Sequence, residues 1–155
     1  MSGANTRVEE AAARVASDHE EILSAVHRLE AALASPAPGR ETAWKHRAGA
    51  ALVGVLDSVN VHRVSAESGG GVIAEAEALL GRPAALAAAR SQHVRLLKDA
   101  GALLADLEVL REDPKLTCKA VRQRASRLAS ALRNHQALEA DLILEAFDLD
   151  IGGEG

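Results

Sequence analysis

His135 and Glu139 stand four residues apart in a stretch, Leu132 to Gly153, with helical periodicity. Positions i and i+4 share one helix face, so this imidazole and this carboxylate can reach a single ion together. Both fall on the apolar side, beside Leu128, Leu132, Leu138 and Leu142. A carboxylate placed there needs a partner, because burying an isolated charge is costly. Three further histidines share this character: His19 lies between Val15 and Ile22, His62 follows Val59, and His93 precedes Leu96 and Leu97. Histidine and carboxylate ligands suit iron, manganese or zinc, whereas copper(I) and iron–sulfur clusters favour soft thiolates. Cys118 is the only cysteine, which excludes an internal disulfide and a cysteine-based zinc cluster.

Four helices must position these groups, one histidine on each. Thr6 to Ala34 repeats Val8, Val15, His19, Ile22, Val26, Leu29 and Leu33 at three- and four-residue steps, and Ser35-Pro-Ala-Pro-Gly39 ends it. A second helix, Glu41 to about Ala66, carries Trp44, Leu52, Val55, Val59 and His62, and Ser68-Gly-Gly-Gly71 stops it. Val72 to Leu80 forms a short extra helical segment, closed by Gly81-Arg-Pro83. Pro83 suits the first turn of the next long helix, which bears Leu86, His93, Leu96, Leu97, Leu103, Leu104 and Leu107 and stops near Arg111 to Pro114. The last helix begins near Lys115 and runs to about Phe147. A flexible glycine-rich tail is expected from about Asp148. Short links between amphipathic helices predict an all-α, up-down-up-down four-helix bundle forming a single domain over residues 1–155.

Phase and depth single out the same four histidines. At about 100° per residue, His46 falls on roughly the opposite face from His62, and His27 is about 80° round from His19. Counting about 1.5 Å per residue from the helix ends places His19, His62, His93 and His135 in the same half of the bundle. Such a layer is what a metal centre in a bundle core requires. Glu67 is the carboxylate candidate on the second helix, but it follows His62 by five residues and points about 140° away on a regular helix. A π-bulge or local unwinding before the glycines would bring it back; otherwise Glu67 is a solvated helix end. Asp18, Glu20 and Glu21 read as a solvated face, with a supporting contact from Asp18 as the alternative. Cys118, near the start of the last helix, reads as a small buried hydrophobe.

Composition excludes several classes. A net charge of -4 with one Trp, one Phe and no Tyr argues against nucleic acid, which calls for basic patches and stacking aromatics. No apolar run approaches the roughly 20 residues of a membrane span, and the first residues lack a signal-peptide core. The expectation is a cytoplasmic protein with no membrane and no nucleic-acid partner.

The pattern resembles the hemerythrin-like family, in its actinobacterial-type subgroup. The resemblance rests on Asp18-His19-Glu-Glu-Ile22, the His62-to-Glu67 segment running into Gly69-Gly-Gly71, Gln92-His93, and His135-Gln-Ala-Leu-Glu139, and it covers most of the chain. The ending Ala140 to Gly153 is similar to the tail of that subgroup. The resemblance implies two non-haem irons, with His19, His62, His93 and His135 as ligands. Glu67 and Glu139 would be carboxylate ligands, bridging the metals together with an oxo or hydroxo group. Leu97 stands where the fuller pattern has a second histidine after His93, and the second-helix glutamate is displaced by one residue. Fewer histidines leave more open coordination positions, which favours reactivity over reversible oxygen carriage.

The expected function is therefore a di-iron protein binding or reacting with O2, NO or peroxide. A di-iron oxidase or oxygenase acting on a small organic substrate is the first alternative, and a pocket beside the histidine layer would distinguish it. The second is a metal-free helical interaction protein, marked by an exposed apolar groove and by stability indifferent to chelators.

Overall fold

A computed structural model describes residues 2–35, 39–81, 83–109 and 118–152. Five helices account for them in order: α1 (Ser2–Ala34), α2 (Glu41–Glu67), α3 (Val72–Leu80), α4 (Pro83–Glu108) and α5 (Cys118–Gly152). The four long helices pack side by side in the order α1, α2, α4, α5, and α5 closes back on α1. This is the expected all-α four-helix bundle, and α3 is the expected short extra segment. No described helix is long and apolar enough to cross a membrane.

Two helix ends differ from expectation. α1 starts at Ser2, a turn before Thr6, and α5 continues to Gly152 rather than stopping at Phe147. Nothing in Asp148-Leu-Asp-Ile forbids helix, and glycine costs only about 1 kcal/mol within one, so the helix runs on to the glycine pair. The expected starts and stops near Arg111 to Lys115 lie outside the described residues.

Each long helix buries a stripe set by its apolar periodicity, and the stripes meet in two separate clusters. The larger contains Ile22, Val26, Leu29, Trp44, Leu52, Val55, Val59, Leu96, Leu103, Leu107, Val121, Leu128 and Leu132. The smaller contains Val15, Ala66, Ile73, Leu86, Ala89 and Leu142, with α3 lying across that end of the bundle. Cys118, expected to be a small buried hydrophobe, is partly buried and packs against the larger cluster. Arg122 on α5 ties the far end together. It donates to the carbonyls of Leu33 at 2.7 Å and Ser35 at 3.2 Å, groups a helix C-terminus leaves unpaired, and lies 5.7 Å above the Trp44 ring.

The connection from α2 to α3 is a tight glycine turn. Gly71 N–H donates to Ser68 O at 2.8 Å, and Arg14 on α1 reaches across to Gly70 O. A side chain at Gly71 would overlap the carbonyl oxygens of Ser65 and Ala66, so this close approach requires glycine. The turn fixes the position of Glu67, the last residue of α2.

Candidate metal centre

The two apolar clusters are separated by a polar layer. Val15 and Ile22 on α1 belong to different clusters, with His19 between them. His62 stands likewise between Val59 and Ala66, His93 between Ala89 and Leu96, and His135 between Leu132 and Leu142. Helical spacing thus places one imidazole per helix at one level. Ring centroids are 5.2 Å apart for His19–His62 and for His62–His93, 4.5 Å for His93–His135 and 6.1 Å for His62–His135. His62, His93 and His135 are buried and His19 is partly buried, whereas His27 and His46 are exposed, as their phase predicts.

Glu139 lies at the middle of the layer and is fully buried. Its Oε1 is 2.7 Å from His93 Nε2 and 2.9 Å from His62 Nε2, and it abuts His135 Nε2. Its Oε2 is 2.7 Å from His62 Nε2 and 3.1 Å from His19 Nε2. Every inward nitrogen is therefore an Nε2, and both oxygens of a single carboxylate receive them. Burial alone would push the Glu139 carboxyl up, but the imidazoles of His135, His19, His62 and His93 outweigh it and hold it far below the usual carboxylate range. Glu139 is a buried anion.

Three of the four outward nitrogens are held by a neighbouring helix. Asp18 on α1 accepts from His62 Nδ1 at 3.0 Å. Glu67 on α2 accepts from His93 Nδ1 at 2.9 Å, and Gln92 Oε1 on α4 accepts from His135 Nδ1 at 2.7 Å. Gln136 on α5 donates to the backbone carbonyl of His19 at 3.1 Å. Each long helix thus supports the histidine of the next one round the bundle. An Nδ1–H engaged outside leaves Nε2 with its lone pair pointing inward in the neutral ring, the tautomer that binds a metal.

These groups fit a cation better than they fit one another. Three inward lone pairs facing carboxylate oxygens repel unless a proton or a cation lies between them. His135 Nε2 is buried without a hydrogen-bond partner even though it lies against Glu139. His62 shows the strain on the site: burial would lower its pKa, yet Glu139 and then Asp18 raise it above 6.5. His62, His93, His135 and Glu139 each offer one ligand atom, all within 4.8 Å of one another, so this buried group could hold a metal ion.

Six residues were expected to be ligands. The structure brings His19, His62, His93, His135 and Glu139 together around one carboxylate, with His19 on its Oε2 side. Glu67 is placed differently: α2 stays α-helical to its end, with no π-bulge, and the carboxylate turns to the outer nitrogen of His93. Asp18 was expected chiefly as part of a solvated face, and Gln92 and Gln136 carried no expected role. Their signal is adjacency. A residue next to an inward histidine points about 100° away, toward the seam with a neighbouring helix. Glu20 and Glu21 are exposed, as expected.

Comparison with protein-family models, characterised proteins and solved structures finds no match to this chain.

Proposed function

We propose that the chain is a cytoplasmic, non-haem di-iron protein of the hemerythrin-like kind, which binds or reacts with O2, NO or peroxide. The observation that carries this reading is Glu139, whose two oxygens are faced by four Nε2 atoms from four different helices. A carboxylate addressed on both oxygens suits a bridge between two ions. His19, His62, His93 and His135 would hold the ions together with Glu139. Nitrogen and carboxylate donors without thiolate suit iron, as they suit manganese or zinc. The carboxylates of Asp18 and Glu67 behind the imidazoles add negative charge that offsets the cations.

Iron, when bound, supplies redox exchange and open positions for a small ligand. The chain's own residues supply the rest. Asp18, Glu67 and Gln92 fix which nitrogen faces inward, so the site is assembled before the metal arrives. Glu139 is the buried negative charge that makes cation entry favourable. The apolar clusters above and below keep bulk water from the layer and strengthen electrostatic interactions within it. The hollow that reaches His135 measures about 200 Å3, below the roughly 300 Å3 at which sites for drug-sized ligands begin, which favours a small ligand over a drug-sized one.

Elemental analysis of protein grown with iron, followed by optical spectra with and without azide, tests this reading. Stoichiometric iron and azide-dependent absorption bands are expected. Absence of bound iron, or full iron binding in the His93→Ala, His135→Ala double variant, would overturn it.

A further inference from the structure

We propose that the hollow between α4 and α5 is the port through which small molecules reach the centre, with the Gln92–His135 pair as its inner wall. The inference deepens the di-iron reading and rests on it.

Position is the first argument. Gln92 and Leu96 on α4, with Ala131, Asn134 and His135 on α5, line a hollow of about 200 Å3. It therefore reaches one of the four histidines directly. A larger hollow of about 660 Å3 on the outer face of α4 stops at Glu67, a carboxylate that stands behind His93.

The second argument is chemical. His62 and His93 are each held from behind by a carboxylate, Asp18 and Glu67, whereas His135 is held by the neutral amide of Gln92. Hydrogen bonds to a charged acceptor are about twice as strong as neutral ones. Among the three histidines held at Nδ1, His135 is consequently the one whose support is most easily released. Rotation of the Gln92 side chain away from His135 Nδ1 would free the His135 ring beside the hollow without moving a helix.

Size and charge define what enters. Water occupies about 30 Å3 per molecule in the liquid, so the hollow of about 200 Å3 holds roughly six or seven molecules of that size. Arg95 and Asp99 bring one positive and one negative side chain to its lining. The lining therefore does not select by sign of charge, and the port has room for diatomic and triatomic ligands and hydrogen peroxide.

Stopped-flow measurement of azide binding to the oxidised, iron-loaded protein tests the port. Ala131→Phe fills it from an exposed position, and Asn134→Phe blocks it independently. Both should slow azide association about five-fold or more while leaving the spectrum of the azide complex unchanged. Gln92→Ala, which removes the inner wall, should accelerate association. Ala50→Phe, on an exposed face of α2 away from the histidine layer, should leave the rate as in wild type. If wild type binds azide and all four variants share its rate, the port is wrong while the di-iron reading stands. If wild type holds no iron and shows no azide bands, both readings fail together.

Discussion

Asp18 on α1 accepts a hydrogen bond at 3.0 Å from Nδ1 of His62 on α2, and so determines which nitrogen His62 turns toward Glu139. The same relation recurs from α2 to α4 and from α4 to α5, always onto Nδ1. Because supporter and histidine sit on different helices, the inward geometry of each imidazole depends on helix packing as well as on its own rotamer. The layer is a property of the assembled bundle.

Removing Asp18 should therefore weaken metal binding without removing a ligand. Loss of an outer-shell partner typically costs about 10- to 100-fold in metal affinity, and Asp18→Ala should fall in that range. Asp18→Asn keeps an acceptor but loses the charge and should lie between Ala and wild type. Competition against a chromophoric chelator measures both. Equal affinity in all three proteins would show that Asp18 does not orient His62.

Glu139→Gln separates the buried anion from its shape. The amide cannot serve four Nε2 atoms, and metal affinity should fall by about 100-fold or more. Breaking a buried charge cluster by removing one member costs on the order of 3–5 kcal/mol, so the metal-free protein should also lose stability. Thermal melts in the presence of chelator read the second effect apart from the first. A variant that binds metal normally would remove Glu139 from the centre.

Opposite pH slopes are expected with and without metal. Glu139 and Asp18 outweigh burial and raise His62 above 6.5 in the folded chain. That contribution is fully present below pH 6.5 and is lost as pH rises through the folded value. Glu139 is lowered from 4.5, so its contribution is present above pH 4.5 and persists down to its much lower folded value. Metal-free protein should therefore be most stable between about pH 5 and 6.5 and lose melting temperature toward pH 8. The loaded protein should gain in relative terms over the same interval, because its ligands must shed protons to bind. Melting curves from pH 5.5 to 8.5 with and without metal should converge at the acid end. Parallel curves would mean that the histidines are not the ligands.

The inward residues were legible because their message is local. His19, His62, His93 and His135 keep step with apolar neighbours on their own helices, and a period of 3.6 residues settles their direction. Their common level followed from helix lengths alone. Gln92 and Gln136 were hidden, and Asp18 was left between two readings, for the complementary reason: each points sideways, and only the identity of the adjoining helix turns a solvated position into a supporting one. Glu67 shows both effects. Its phase correctly put it off the inward face, and the partner it reaches instead, His93, is a property of packing. The extension of α5 to Gly152 was missed because paired glycines suggest a stop, although nothing ahead of them breaks the helix.

The turn behind Glu67 offers a test of how far packing controls the site. A methyl group at Gly71 would overlap the carbonyl oxygens of Ser65 and Ala66, and these are backbone atoms that cannot rotate aside. Gly71→Ala should cost about 1–3 kcal/mol, at about 2–4 °C of melting temperature per kcal/mol in a domain of this size. Relief of the overlap must shift the end of α2, and with it the Glu67 carboxylate 2.9 Å from His93 Nδ1, so metal affinity should fall as well. Two other glycines serve as controls. A Cβ at Gly69 or at Gly54 meets nothing within 4 Å. Gly69→Ala should be neutral to within about 0.5 kcal/mol, and Gly54→Ala, inside α2, should stabilise by about 0.5–1 kcal/mol. If Gly71→Ala melts like Gly69→Ala and binds metal like wild type, the turn does not position Glu67.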